Sequence, residues 1–163
     1  MASTIVGEHL KIDNRGVHAF IIGEHGDSEV AVFSSANVSG IPLEQIYKLR
    51  GYEEYESHTK RIYEEVKNSA YEIIERKQAT YYGIAMAIKR ICECIVRDEH
   101  SVLPVSSLMH GQYGISDIVL SMPAVVDAGG VEQILPVSLD EEERARLHTS
   151  AKALRDVIAD IEL

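Results

Sequence analysis

Seven consecutive residues, Gly23-Glu24-His25-Gly26-Asp27-Ser28-Glu29, bring together side chains that could do chemistry. A histidine has an ordinary pKa of about 6.5, so it can donate or accept a proton near neutral pH. Gly23 and Gly26 flank His25 and allow tight backbone geometry or the close approach of a ligand. His25 is therefore a candidate general acid and base. The same pattern also fits a histidine hydrogen-bonded into a turn, and these residues alone do not decide between the two.

An apolar run just before this stretch predicts the element that holds it. The segment Val17 to Ile22 is typical of a short buried strand, and it stops at Gly23. His25 would then lie on a loop at the end of a strand, where a rigid scaffold often carries catalytic side chains. A second apolar run, Val30 to Phe33, predicts another short extended segment.

Helices are predicted on both sides of these strands, from apolar periodicity and capping residues. The expected ranges are the end of a helix at 5–11, a short helix at 43–49, a long helix at about 53–77, a helix capped by Thr80 that runs to about Val96, and a final helix opened by a capping box at 138–141. Two apolar stripes are expected to face the core: Ile84, Ile88, Ile91 and Ile95 on the helix after Thr80, and Leu147, Ala151, Leu154, Ile158 and Ile161 on the final helix.

Between these last two helices the sequence becomes rich in short β-type runs. Their ranges are 102–108, 118–122 and 131–137, with turn signals at 111–114 and 127–130. The connections are too short for helical crossovers, so we expect an antiparallel meander. The sequence therefore predicts an α+β fold, with helices packed on an antiparallel sheet, as one domain over residues 1–163.

Composition excludes several classes of partner. The formal net charge of −10 argues against binding to nucleic acid or to an anionic membrane. No apolar run approaches the roughly 18 residues that span a bilayer. Residues 1–6 lack a basic region followed by an apolar stretch, so they do not resemble a secretory signal. We expect a cytoplasmic protein, and we expect Cys92 and Cys94 to be free thiols on different sides of a helix.

A metal-dependent hydrolase is an alternative that the same loop leaves open. Histidine and aspartate are common metal ligands, so His25 and Asp27 could in principle hold an ion. The pattern is weak because no further ligands follow at regular spacing, and we predict no metal site. Metal analysis of the purified protein would decide this alternative.

The stretch that contains His25 resembles the active-site signature of the NAD-dependent L-lactate dehydrogenases. The similarity continues forward through 35–43 and backward through 17–20 to Gly7-Glu8-His9, and it includes segments at 70–74, 80–85, 117–120, 122–125 and 150–154. Glu24 favours this family over the related malate dehydrogenases, which usually lack a glutamate there. The resemblance implies the fold of the family's C-terminal, substrate-binding domain, without a Rossmann domain.

The resemblance also implies roles for individual residues. His25 would donate a proton when pyruvate is reduced and accept one when lactate is oxidised. Thr80 and Ile84 match positions beside the substrate and the nicotinamide ring, although the residues alone indicate an N-cap and a core position. His18 matches a position that helps to bind fructose 1,6-bisphosphate between subunits in many bacterial members. The arginine that assists there is replaced by Ser3, so retained binding of this activator would be weak.

Two family features are not found among these 163 residues. No Gly-x-Gly-x-x-Gly fingerprint follows a strand, and the arginine of the family's Leu-Asp-x-x-Arg motif falls at Met1. In the family that arginine binds the substrate carboxylate and the aspartate orients the histidine. The chain therefore resembles only the C-terminal half of the family, and we expect neither tight NAD binding nor appreciable activity from it alone.

The resemblance further implies assembly into a homo-oligomer, as a dimer or a tetramer. A different function remains open beside this one. The chain could be an oligomerisation or regulatory module that assembles with full-length L-lactate dehydrogenase subunits. Co-purification with an intact enzyme would separate the two functions.

Overall fold

A computed structural model describes residues 2–77 and 81–161 of the chain. The helices are α1 (Ala2–Leu10), α2 (Leu43–Leu49), α3 (Tyr55–Lys77), α4 (Tyr82–Arg97) and α5 (Glu141–Ala159). The strands are β1 (Val17–Ile22), β2 (Val30–Val38), β3 (Ile41–Pro42), β4 (Ser101–His110), β5 (Ser116–Asp127) and β6 (Gly130–Ile134). The predicted α+β class is confirmed, and most predicted elements occur within a few residues of their expected bounds.

The strands form two three-stranded antiparallel sheets, in the orders β1-β2-β3 and β4-β5-β6. A pair of backbone hydrogen bonds joins the two sheets. The Gly23 amide donates to the Ser121 carbonyl at 3.0 Å, and the Ser121 amide donates to the Gly23 carbonyl at 2.8 Å. The first residue of the His25 loop, which directly follows β1, is therefore tied to the middle of β5.

Two apolar cores lie on either side of this junction. The first joins α1, α2 and α3 to the first sheet, and its fully buried members include Leu10, Tyr47 and Ile62. The second joins both sheets to α5 through residues such as Met122 and Leu147. Burying side chains of this size stabilises each core by roughly 1.5–3 kcal/mol per residue. The loop that carries His25 emerges where the second core is closed by α5.

The apolar stripe on α4 differs from its expected burial. Ile84 and Ile88 are 54 % and 56 % exposed, although periodicity predicts them in the core. The buried residue of this helix is Cys94, whose thiol donates to the Val126 carbonyl of β5 at 3.0 Å. The helix packs on β5 near its C-terminal end. Periodicity therefore identified an apolar face correctly but not what covers it. Cys92 is exposed and Cys94 is buried, as their spacing predicts.

The starts of α4 and α5 also differ from the predictions. The N-cap position of α4 is Tyr81, with no side-chain cap hydrogen bond. Thr80, the predicted N-cap, lies outside the described residues. The capping box of α5 is formed by Asp140 and Glu143 rather than by Ser138 and Glu141. Both pairs of residues have the spacing that a capping box requires. The box forms at Asp140 and Glu143 because the Glu143 side chain also accepts hydrogen bonds from β2.

The final apolar face of α5 is only partly covered. Leu147 and Ala151 are fully buried, and Leu154 is partly buried. Ile158 and Ile161 are 47 % and 55 % exposed, so the expectation that they belong to the core is wrong. The second core covers the helix only as far as Leu154, and the apolar pattern continues beyond it.

Candidate active site

His25 lies on the loop between β1 and β2, as the sequence predicts. Ile22, the last residue of β1, is completely buried, whereas His25 is exposed. Two backbone hydrogen bonds shape the loop: Gly26 N–H donates to the Glu24 carbonyl at 3.1 Å, and Glu29 N–H donates to the Gly26 carbonyl at 3.2 Å. Among the described residues, no side-chain hydrogen bond reaches the imidazole. The position of this side chain is therefore set by the backbone that carries it.

Gly23 is required by its backbone conformation, and both glycines of the loop lie close to a polar side chain. Gly23 has φ +96°, a left-handed conformation that other residues rarely adopt. A Cβ at Gly23 would also lie 2.7 Å from Ser150 Oγ on α5. A Cβ at Gly26 would lie 2.2 Å from Glu24 Oε1. Each glycine thus lets the loop fold closely over a polar side chain.

Glu24, Ser28 and Ser150 form a polar network beneath His25. The Glu24 amide donates to Ser150 Oγ at 2.8 Å. The Glu24 carboxylate accepts from the Ser28 amide at 3.3 Å and also from the Ser28 hydroxyl. The hydroxyl oxygens of Ser28 and Ser150 lie 3.3 Å apart. These contacts fix the residue before His25 and the residue three positions after it.

Glu29 is a second carboxylate on this loop, and it interacts electrostatically with His25. Burial raises the pKa of the Glu29 carboxyl above its ordinary value, His25 opposes that shift, and Glu24 adds to it. Tyr63 donates its hydroxyl to the backbone carbonyl of the same Glu29 residue at 3.0 Å. Glu24, His25 and Glu29 therefore lie on the same loop, and the Glu29 carboxyl interacts electrostatically with both of the other side chains.

The other predicted site residues lie on different elements. Ile84 is on the first turn of α4, beside the exposed rings of Tyr81 and Tyr82. His18 is exposed on β1, opposite Asn37 of β2. Thr80 lies outside the described residues, so its predicted place beside the substrate stays a prediction. The functional roles of His18, His25, Thr80 and Ile84 likewise stay predictions at this point.

The described residues fit only one part of a nicotinamide dinucleotide. Ile84 presents an exposed apolar side chain that could contact an uncharged ring. A pyrophosphate is usually held by backbone amides at a glycine-rich turn that opens a helix, and the sequence has no such turn. Two open grooves, of about 700 and 360 Å³, are lined by residues of 106–136 and of 48–55, and neither includes His25 or Ile84.

One group of possible metal ligands occurs in the described part of the chain. Its members, Asp98, His100 and Asp127, have ligand atoms within 4.8 Å of one another, and His25 and Asp27 are not among them. Glu132 bonds to His100 Nδ1 at 3.1 Å. The group lies at the end of β5 and is largely exposed.

We expect this group to shift the titration of His100. The hydrogen bond to Glu132 raises the pKa of His100 above its ordinary value, the small degree of burial opposes this, and the charges of Asp98 and Asp127 add to the increase. Because the pKa is raised in the folded state, the stabilisation is complete below the unfolded pKa and is lost as the pH rises through the folded pKa. Titration by NMR should show that Glu132→Gln lowers the His100 pKa and that Glu64→Gln does not. An unchanged His100 titration in Glu132→Gln would contradict this assignment.

Comparison with known proteins shows which family has this arrangement. A family model described as the lactate/malate dehydrogenase alpha/beta C-terminal domain matches residues 2–162. The chain belongs to this family. The L-lactate dehydrogenase of Acetivibrio thermocellus is 48 % identical over 159 residues, which are 98 % of this chain and 50 % of that protein. The L-lactate dehydrogenase 1 of Clostridium acetobutylicum is 45 % identical over 157 residues.

Solved structures of the lactate/malate dehydrogenase family share the same fold. The minor L-lactate dehydrogenase from Enterococcus mundtii, in its ligands-bound form, superposes with a TM-score of 0.92 at 41 % identity. That match covers 99 % of this chain and 51 % of the Enterococcus protein. A malate dehydrogenase from Salinibacter ruber gives a TM-score of 0.87 at 29 % identity. The chain spans about half the length of the relatives it matches, and its resemblance to the family's C-terminal half is confirmed.

Sequence reasoning did not single out Ser150 as part of the site. A signal was present, because Ser150 is three residues after Leu147 and one before Ala151 on the apolar face of α5. A small polar residue on a buried helix face needs a hydrogen-bond partner. What the sequence did not reveal is that the partner is the backbone of the loop that carries His25.

Proposed function

We propose that this chain is the substrate-binding and catalytic part of an NAD-dependent L-lactate dehydrogenase, which interconverts pyruvate and (S)-lactate. The observation that carries the proposal is that His25 is exposed on the loop between β1 and β2, which Ser150 of α5 holds in place. The loop sequence Gly23 to Ser28 and the similarity of the whole chain to L-lactate dehydrogenases support it. The similarity to L-lactate dehydrogenases also supports a cytoplasmic location, which we infer as part of this proposal.

His25 supplies the proton in this proposal. When pyruvate is reduced, the carbonyl carbon receives a hydride and the carbonyl oxygen receives the proton of the protonated imidazole. When lactate is oxidised, the neutral imidazole takes the hydroxyl proton. The hydrogen bond from the Glu24 amide to Ser150 holds the loop next to His25 and limits the motion of the ring. NAD, when bound, carries the hydride.

Ile84 and Thr80 are proposed to complete the substrate side of the site. The exposed side chain of Ile84 provides an apolar surface for the nicotinamide ring. Thr80, outside the described residues, is proposed to contact the substrate through its hydroxyl. His18 is proposed to contribute only weakly to an anionic activator such as fructose 1,6-bisphosphate. The exposed position of His18 on β1 permits such a contact.

The 163 residues alone are proposed to lack turnover. Ile84 can contact the nicotinamide ring of NAD, but the described residues include no glycine-rich turn at a helix start that would bind its phosphates. Activity should appear when the chain replaces the matched half of the Acetivibrio thermocellus L-lactate dehydrogenase, because the two share 48 % identity over 159 residues. The assay is oxidation of NADH with pyruvate, compared with oxaloacetate. A folded chimera without pyruvate turnover, or turnover by the 163 residues alone, would contradict the proposal.

We also propose that the chain assembles into a dimer or tetramer. Large apolar side chains are exposed on α4 and on the second sheet: Tyr82, Ile84, Met86, Ile88, Val102, Leu108 and Val119. Apolar surface of this kind commonly marks an interface.

The alternative function, a module that joins full-length L-lactate dehydrogenase subunits, would use the same surface. Sedimentation at micromolar concentrations should show an oligomer, and a monomer throughout would contradict the proposal. Co-purification with an intact enzyme would favour the module.

A further inference from the structure

The peptide before His25 is held by a side chain from the far end of the sequence. Ser150, on α5, is completely buried, and its Oγ accepts a hydrogen bond from the Glu24 amide at 2.8 Å. The close approach is possible because Gly23 has no side chain, since a Cβ there would lie 2.7 Å from Ser150 Oγ. The sequence separation of 126 residues means that α5 must be docked before this contact can form.

The hydroxyl hydrogens of Ser28 and Ser150 can complete a closed ring of hydrogen bonds. Each hydroxyl has one hydrogen to donate. The Ser28 hydroxyl donates to the Glu24 carboxylate, a charge-assisted bond, so its hydrogen is used there. The 3.3 Å contact between the two hydroxyls is then made when Ser150 donates to Ser28. The ring runs from the Glu24 amide to Ser150, then to Ser28, and back to the Glu24 carboxylate.

This ring acts on both ends of the segment that contains His25. Glu24 and Ser28 are the residues one before and three after the histidine, and both are tied to the same buried oxygen. The imidazole has no side-chain hydrogen bond among the described residues. Its direction therefore depends on the backbone that the ring holds. A displacement of about 1 Å of a catalytic group can lower the rate by about 100-fold.

We propose that Ser150 is a positioning residue for His25, acting through the Glu24 peptide and the Ser28 hydroxyl. The proposal rests on the proposed function only in giving His25 a catalytic role. Ser150 itself is completely buried, so it does not contact substrate directly. It would keep the histidine pointing out of the loop in one direction, while α5 transmits the rigidity of the second core to the site. Removing the Ser150 hydroxyl should loosen the loop without removing apolar contacts of Leu147 or Ala151.

The test is amide hydrogen exchange of the 163-residue chain by NMR. In Ser150→Ala, the Glu24 amide should exchange about fivefold faster or more, because one hydrogen bond of about 1 kcal/mol is lost. Amides of β5, such as that of Leu120, should keep their protection, and the His25 ring resonances should shift. Ser150→Thr, which keeps the hydroxyl, should restore the Glu24 protection. Thr149→Ala, which removes an exposed hydroxyl from the same helix, should change none of these signals.

Two outcomes would overturn the proposal. One is a Glu24 amide that exchanges at the same rate in Ser150→Ala as in the original chain. The other is an equal loss of protection at Glu24 and Leu120, which would make Ser150 a general core residue. If Ser150→Ala does not fold, Ser28→Ala removes the hydroxyl that links Ser150 to the Glu24 carboxylate but leaves the Glu24 amide bonded to Ser150. This variant should shift the His25 ring resonances while Leu120 keeps its protection, and unshifted His25 resonances would overturn the proposal.

Kinetics in the chimera separate this proposal from the proposed function. Ser150→Ala should lower kcat by about 10- to 100-fold while KM for pyruvate changes little, because Ser150 is completely buried and does not contact substrate directly. A chimera without any turnover would contradict the proposed function but leave the exchange result intact. A chimera whose kcat is unaffected by Ser150→Ala would overturn the positioning role alone.

Discussion

Replacing His25 by asparagine in the chimera should lower kcat/KM for pyruvate reduction by about 100- to 10,000-fold, the usual contribution of a positioned general acid. Asparagine keeps a polar side chain of moderate size but cannot transfer a proton near neutral pH. Because His25 is exposed and no side-chain hydrogen bond holds it among the described residues, the loop should keep its fold. The measurement is steady-state oxidation of NADH at several pyruvate concentrations.

The matched control for this prediction is another exposed histidine. His110 lies at the end of β4, outside the loop, so His110→Asn should leave kcat/KM within about twofold. Circular dichroism would verify that both variants remain folded. If His25→Asn kept more than a tenth of the activity, His25 would not be the group that moves the proton.

The second large effect should come from Glu143, which is only 1 % exposed. Its carboxylate accepts hydrogen bonds from the amides of Phe33, Ser34 and Asp140 at 2.8, 3.0 and 3.1 Å, and from the Ser34 hydroxyl. Alanine would leave three amides without their acceptor, at about 1–3 kcal/mol each when buried. We expect Glu143→Ala to lower the free energy of unfolding by about 3–5 kcal/mol.

Urea unfolding followed by circular dichroism would measure this effect. Glu143→Gln keeps the length and one carbonyl acceptor, so its loss should lie between those of alanine and the original chain. Glu142→Ala removes an exposed glutamate from the same helical turn and should change the free energy of unfolding by less than about 0.5 kcal/mol. A loss below about 1 kcal/mol in Glu143→Ala would mean that water satisfies the amides instead.

The hydrogen bonds of Glu143 explain how α5 is placed against the first sheet. The residue caps its own helix and at the same time binds the backbone of β2. The same helix, two turns later, contributes Ser150 to the loop after β1. One helix is therefore joined to the start of the loop after β1 and to the middle of β2, so it contacts the chain on both sides of His25 in the sequence.

Local sequence patterns were sufficient to predict the strand and the loop at the candidate site. The run Val17 to Ile22 forms a strand with the predicted bounds, because its apolar residues supply two cores and the glycine after it ends the run. The antiparallel meander was predictable from short connections. Such features depend on neighbouring residues, and neighbouring residues are what a single sequence displays.

Features that depend on distant contacts were not predictable in the same way. The exposure of Ile84 and Ile88 depends on how far α4 extends beyond β5. The choice of Asp140 and Glu143 as the capping box depends on amides of β2. The role of Ser150 depends on a loop 126 residues earlier in the sequence. Resemblance to L-lactate dehydrogenases suggests the proposed function, which the physical chemistry of the loop alone leaves undecided.

The most direct test of the central claim, that His25 moves the proton in both directions, is the pH dependence of both reactions in the chimera. Reduction of pyruvate needs a protonated histidine and oxidation of lactate needs a neutral one. Across the range in which histidines titrate, kcat/KM should therefore fall with rising pH for pyruvate and rise with rising pH for lactate. Profiles that change in the same direction, or opposite profiles that persist in His25→Asn, would contradict the account.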